Sequence, residues 1–155
     1  MTHLPSTDPS APLLEVRKLS KTYHVTERHG LKRKSVDIRA VEQVDMVLGQ
    51  GETLGIVGES GCGKTSLART LVLLETASNG SIELRGQAVN AANGISPRDY
   101  RKAVQMVFQD PYASVNPRMT VAEIVEEPLI LQRPDLGQSD RRKIVRDRLE
   151  EVSLS

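Results

Sequence analysis

Residues 58–65 read GESGCGKT and match the pattern G-x-x-x-x-G-K-[ST] in full. Glycines permit backbone angles that turn successive N–H groups toward one point, which makes a nest for phosphate oxygens. A chain of this length matches the pattern by chance on the order of once in two hundred times. The stretch therefore predicts a phosphate-binding P-loop, made of Gly58, Glu59, Ser60, Gly61, Cys62, Gly63, Lys64 and Thr65.

The sequences on either side of this loop predict the strand and the helix that a P-loop requires. Residues 53–57 form a continuous apolar run, which predicts a strand buried on both faces of a mostly parallel sheet. After the loop, apolar residues recur with helical spacing at Leu67, Ala68, Leu71, Val72 and Leu74. A helix that begins at the loop would add its positive end to the phosphate site.

Side chains of the loop add specific chemistry to these backbone groups. Lys64 supplies a mobile positive charge for the β and γ phosphates of ATP, and the Thr65 hydroxyl can ligate Mg²⁺. Ser66 can add a phosphate contact. Cys62 is interpreted as a small loop residue, because neither a second cysteine nor a histidine accompanies it. The predicted ligands are therefore ATP and Mg²⁺.

Composition narrows the class of protein. A length of 155 residues predicts one domain, and 21 basic against 20 acidic side chains leave a net charge of +1. Nucleic acid is therefore not a predicted partner. The single cysteine excludes a disulfide scaffold and is consistent with a reducing cytosol. The sequence contains no apolar stretch near the roughly 20 residues that cross a bilayer.

The rest of the sequence predicts an α/β chain. Residues 1–12 are interpreted as a disordered or extended arm, and strands are predicted at residues 13–19 and 40–48. Between these strands, residues 24–39 are locally basic and are interpreted as a solvated loop. Further strands are predicted at residues 82–85 and 104–108, a helical turn at 97–101, and helices at 120–132 and 139–152.

The P-loop is the second of three motifs that follow one another along the chain. These are LSKTY at residues 19–23, GIVGESGCGKTS at residues 55–66 and VQMVFQDP at residues 104–111. Together they resemble the nucleotide-binding subunits of ABC transporters. The resemblance implies that Tyr23 stacks on adenine as the A-loop aromatic. It also implies that Gln109 of the Q-loop reaches Mg²⁺ and the attacking water. Taken alone, each would be an ordinary residue at the end of a strand.

Two further segments resemble one subfamily, the ATPase subunits of bacterial dipeptide, oligopeptide and nickel importers. They are YASVNPRMTV at residues 112–121 and the basic residues 24–39, where that subfamily extends its first sheet. The implied fold is a P-loop NTPase core of the ABC ATPase type with an antiparallel β subdomain. Residues 13–155 would be the N-terminal part of that domain, with the start of a helical subdomain at 120–155.

The resemblance also implies partners and a location. The partners would be transmembrane permease subunits, a second ATPase subunit in a homo- or heterodimer and, indirectly, a periplasmic or extracellular solute-binding protein. The subunit would lie peripherally at the cytoplasmic face of the bacterial inner membrane. The helix at residues 120–132 carries an apolar stripe that we expect to be buried, and the family's coupling helix would dock nearby. The stripe consists of Val121, Ile124, Val125, Leu129 and Leu131.

Three motifs of the family are not found in this sequence: the LSGGQ signature, a Walker B strand ending in Asp-Glu, and the switch histidine. The nearest match to Walker B, residues 124–127, falls within a predicted helix. The chain is therefore expected to be a truncated subunit that does not hydrolyse ATP alone, since losing a general base removes about 10² to 10⁴ in rate. We also expect marginal stability, with Leu54, Ile56 and Val57 left uncovered.

Four functions remain open from the sequence. The leading one is an ATPase subunit that couples ATP binding and hydrolysis to peptide import. The others are a nonhydrolysing nucleotide-binding remnant, a soluble ABC ATPase acting on ribosomes or DNA, and a P-loop kinase. The near-neutral charge and residues 110–119 count against the soluble ATPase, and a kinase would not require Tyr23 or Gln109. Dipeptide, oligopeptide and nickel all stay open as the solute, because specificity in such importers resides in other polypeptides.

Overall fold

A computed structural model describes residues 12–29, 32–110 and 115–154. Most of the predicted N-terminal arm, and residues 112–114 of the importer-like segment, lie outside the described residues. The chain divides into two compact units, Met1–Met106 and Val107–Ser155. The predicted domain boundaries stay a prediction.

The first unit contains a four-stranded antiparallel sheet, as expected for the β subdomain. Its strands are β1 (Leu14–His29), β2 (Lys32–Leu48), β3 (Asn79–Leu84) and β4 (Gln87–Ala88), in the order β2-β1-β3-β4. The described part of this unit also contains two helices, α1 (Lys64–Leu71) and α2 (Pro97–Ala103). Ser96 is the N-cap of α2, and its side chain accepts a hydrogen bond from the Asp99 amide and so caps the first turn.

The basic segment at residues 24–39 is part of a long hairpin, so its interpretation as a solvated loop is wrong. Residues 24–29 of β1 pair with residues 32–37 of β2, and the second strand begins at Lys32 rather than Ala40. The charge run indicated exposure, which a two-stranded ribbon also provides, while the β-branched Val25 and Val36 favour strand geometry. The implied extension of the first sheet is therefore confirmed.

The core of this unit lies between the inner face of the sheet and the two helices. Tyr100 of α2 is completely buried, and its hydroxyl donates a hydrogen bond to the Leu71 carbonyl at 2.8 Å. Burial raises the pKa of Tyr100 to about 12, because the charged phenolate is poorly solvated there. The other buried apolar residues of the cluster are Leu14, Val16, Leu19, Val41, Leu67, Ile82, Leu84 and Ile95.

The two strands predicted at residues 53–57 and 104–108 are not present. Neither segment has regular secondary structure, and Val57 and Val107 are 92% and 96% exposed. An apolar run indicates a preference for burial, but a strand forms only where a neighbouring strand accepts its hydrogen bonds. In the described residues no strand pairs with either segment. The expected exposure of Leu54, Ile56 and Val57 is confirmed.

The second unit contains two helices that pack against each other, α3 (Val121–Gln132) and α4 (Gln138–Glu151). A capping box fixes the start of α3, where the Thr120 and Glu123 side chains accept hydrogen bonds from each other's backbone amides. Between the helices, Arg141 Nε donates to Glu126 Oε1 at 2.9 Å. Residues 124–127 are helical, which confirms that they are not a Walker B strand.

The predicted burial of the apolar stripe on α3 is confirmed only in part, because Ile124, Val125 and Leu129 are half-buried. No residue of α3 is fully buried, and Val121 and Leu131 are 56% and 65% exposed. Helical spacing identifies an apolar face but not how much of it a neighbour covers. Within this unit α4 covers only part of that face, and Val145 is the buried residue that α4 contributes.

Candidate functional site

Two glycines give the loop at residues 58–65 its shape. Gly63 ends the loop as the N-cap of α1 and has a φ of +97°, in the left-handed region that favours glycine. A β-carbon at Gly63 would stand 2.0 Å from the Ala40 carbonyl oxygen, and one at Gly58 would stand 2.7 Å from the Cys62 sulfur. At Gly63 the loop therefore packs directly against the backbone of β2, so a larger residue there would displace it, whereas at Gly58 the Cys62 side chain could move aside.

The start of α1 offers backbone amides to an anion. The first hydrogen bond that closes this helix runs from the Leu67 amide to the Gly63 carbonyl, at 2.9 Å. Gly63 provides no side-chain cap, so the amides of the first turn have no partner within the helix. These amides and the positive end of the helix favour a bound phosphate.

The Lys64 side chain turns back over the loop. Its ammonium donates hydrogen bonds to the carbonyls of Gly58 and Glu59, both at 2.7 Å, and lies 3.5 Å from the Cys62 sulfur. The Lys64 ammonium and the backbone amides at the start of α1 thus lie at the same loop. This combination fits the triphosphate of ATP, whose oxygens require both point charge and directional donors.

The loop forms one wall of a cavity of about 500 Å³, and β2 forms the other. Residues 60–66 line it together with Ile38, Arg39 and Ala40. Thr65 is exposed there, which leaves its hydroxyl accessible to a metal ion. Ile38 and Arg39 were not among the predicted site residues, because they fall in the segment interpreted as a loop. The available signal was the alternation of apolar residues in that segment, which predicts a strand.

Tyr23 lies beside the helix that follows the loop. Its hydroxyl donates to the Glu75 carboxylate and hydrogen-bonds to Ser66 Oγ at 3.2 Å. Its ring lies 4.8 Å from the Lys21 ammonium, measured to the ring centroid. Across the hairpin Tyr23 is paired with Ile38, which lines the cavity. The structure therefore brings the predicted residues Tyr23 and Ser66 together.

Glu75, in the turn after α1, is the anionic centre of these contacts. Its carboxylate lies 3.4 Å from the Lys21 ammonium and 3.8 Å from the Arg69 guanidinium. The hydrogen bond from Tyr23 and, after it, the nearby Lys21 hold the pKa of Glu75 below its usual value. Glu75 was not among the site residues that the sequence predicted.

Gln109 belongs to the second unit and lies in an exposed, irregular segment. The predicted strand that would end at this residue is absent. Its role as the Q-loop glutamine therefore stays a prediction.

Glycines that close a loop, a lysine folded over it and a helix that starts from it define a P-loop protein. A sequence profile of the ABC transporter family matches residues 41–155, which is more than half of the chain. The chain therefore belongs to the ABC transporter family.

Similar proteins include ATP-binding proteins of peptide transport. The di/tripeptide transport ATP-binding protein DppF of Pseudomonas aeruginosa is 41% identical over 142 residues. The oligopeptide transport ATP-binding protein OppF of Haemophilus influenzae is 40% identical over 143 residues. Each alignment covers 92% of this chain and 43% of the relative. The chain thus spans less than half the length of these curated relatives.

A solved structure confirms the fold class. The ATP-binding cassette MJ0796 bound to ADP and Pi, in a dimeric post-hydrolysis state, is similar with a TM-score of 0.63 and 23% identity. The match covers 92% of this chain and 58% of that one. Among residues 12–29, 32–110 and 115–154, no helix combines the length and the apolar character needed to cross a membrane.

Proposed function

We propose that this chain binds Mg·ATP at residues 58–65 and is the nucleotide-binding, energy-coupling part of a peptide-type ABC importer. One observation carries the proposal: the Lys64 ammonium and the uncapped start of α1 lie at the same loop. A lysine and a set of free amides at one point have the chemistry of a polyphosphate site.

In this proposal each predicted residue has a distinct task. The loop amides hold the phosphates, Lys64 contacts the β and γ phosphates, and the Thr65 hydroxyl binds the magnesium ion. Tyr23 stacks on the adenine, and Gln109 approaches the metal and the attacking water. Bound Mg·ATP supplies a phosphoanhydride whose cleavage releases the energy for transport. The residues of this chain bind and orient it.

The names of the relatives support a role in peptide transport, and the dimeric state of MJ0796 supports pairing with a second ATPase subunit. The remaining partners would be the permease subunits and, indirectly, a solute-binding protein outside the membrane. The complex would place this chain at the cytoplasmic face of the bacterial inner membrane. We expect little turnover by the chain alone, because its sequence supplies neither a Walker B carboxylate nor a signature motif.

Nucleotide titration of the 155-residue chain tests the phosphate site. Lys64→Ala removes the ammonium, and we expect its Mg·ATP affinity to fall by at least about tenfold, since charge-assisted contacts are each worth roughly 1.5–3 kcal/mol. The matched control is Lys143→Ala, which removes an exposed lysine from α4 and should bind as the wild type does. Equal affinities for Lys64→Ala and the wild type would exclude this site.

A further inference from the structure

Side chains from two elements, β1 and α1, meet at the carboxylate of Glu75. The Tyr23 hydroxyl and the Lys21 ammonium reach it from β1, and the Arg69 guanidinium reaches it from α1. The Glu75 side chain is only 19% exposed. This partial burial strengthens the charge-assisted hydrogen bond from Tyr23 relative to one made in open solvent.

These contacts fix the orientation of the Tyr23 ring. A tyrosine side chain rotates about two bonds, and a hydrogen bond at its far end restricts both rotations. Lys21, which forms an ion pair with Glu75, also donates a hydrogen bond to the Thr76 carbonyl at 3.0 Å. This second contact helps to hold the Glu75 carboxylate in place. The ring is therefore ordered before a nucleotide arrives, so that ordering it does not weaken binding.

Lys21 also decides which face of the ring is available. Its ammonium lies 4.8 Å from the ring centroid and so covers one face by a cation–π contact. A base can stack only on the opposite face. Lys21 also contacts Glu75. The Glu75 carboxylate therefore determines both the tilt of the Tyr23 ring and the position of the Lys21 ammonium over it.

We propose that Glu75 is a positioning residue that holds Tyr23, together with Lys21, in the orientation that receives the base of the nucleotide. The proposal rests on the proposed function, because it assumes that Tyr23 contacts the base. It assigns to Glu75 no contact with the nucleotide itself. Its effect should therefore appear in the recognition of the base and not in the binding of the phosphates.

Two probes separate these contributions in the 155-residue chain: Mg·ATP, and magnesium tripolyphosphate, which has no base. Tyr23→Phe keeps the ring but removes the anchored hydroxyl, and Glu75→Ala removes the anchor. We expect each variant to bind Mg·ATP about three- to tenfold more weakly and tripolyphosphate unchanged, as expected for a lost ordering contact. The losses in the double variant should be less than additive, because the two single changes share the loss of the hydrogen bond between Tyr23 and Glu75.

Conservative and control variants complete the test. Glu75→Gln retains an oxygen that accepts the Tyr23 hydroxyl, so it should restore most of the ATP affinity lost in Glu75→Ala. Glu127→Ala, which removes an exposed carboxylate from α3, should match the wild type.

Two results would overturn the proposal. One is an ATP affinity of Tyr23→Phe equal to that of the wild type. The other is an equal loss of affinity for ATP and for tripolyphosphate in Glu75→Ala, which would indicate that Glu75 has a structural role only. Tyr23→Phe decides the question even if Glu75→Ala fails to fold. Failure of the proposed function is distinguishable, because then neither probe would respond to Lys64→Ala.

Discussion

The carbonyl oxygen of Ala40 would lie 2.0 Å from a β-carbon at residue 63, where the chain has glycine. Ala40 belongs to β2, and Gly63 is the N-cap of α1. The phosphate loop is thus pressed directly against the strand that forms the other wall of its cavity. The shape of the site depends on this backbone contact as well as on the motif itself.

Gly63→Ala should damage both the fold and the site. Alanine would take on an unfavourable positive φ, at roughly 1–2 kcal/mol, and its methyl group would overlap the Ala40 carbonyl. We expect a total loss of about 2–4 kcal/mol in the free energy of unfolding, measured by urea titration, together with weaker Mg·ATP binding. Gly55→Ala is the matched control, because a β-carbon there meets nothing within 4 Å. Equal stability of the two variants would contradict the contact.

The loop and the helices could be predicted because their signals are local. Residues 58–65 match a pattern whose glycines serve one backbone shape, and Gly63 adopts the positive φ that the pattern implies. Helices α3 and α4 each lie within two residues of their predicted bounds, since caps and helical spacing are encoded by neighbouring residues. Thr120 and Glu123 are the clearest case, because the capping box appears as S/T-x-x-E in the sequence.

The errors arose where the outcome depends on distant segments. Residues 53–57 have the composition of a buried strand, yet pairing requires another strand, which the sequence of the segment cannot reveal. The hairpin at residues 24–39 was missed for the opposite reason, because its charges obscured the alternation of β-branched residues. Glu75 was missed because its contacts with Tyr23 and Lys21 span more than 50 residues of the chain.

Thr65→Val should separate metal binding from phosphate binding. Valine has nearly the same shape but lacks the hydroxyl that we propose to ligate Mg²⁺. Calorimetric titration measures the ATP affinity with and without magnesium. The factor by which magnesium raises this affinity should be about tenfold smaller in the variant, as expected for the loss of one metal ligand. Thr65→Ser keeps the hydroxyl and serves as the matched control. The assignment of Thr65 would be wrong if valine left the magnesium dependence intact.

Tyr100 should make the stability of the chain sensitive to alkaline pH. The folded chain keeps this phenol neutral up to a pKa of about 12, whereas its ordinary pKa is 10.0. As the pH rises between these values, the unfolded state releases the proton more readily, so the contribution of Tyr100 to stability is lost. Tyr100→Phe has no proton to release, but it loses the hydrogen bond to the Leu71 carbonyl, worth about 1 kcal/mol. Urea titrations from pH 8 to above pH 11 should therefore show that the wild type is more stable than Tyr100→Phe near pH 8. The difference between their free energies of unfolding should shrink above about pH 10. A constant difference over that range would show that burial does not hold this phenol in its neutral form.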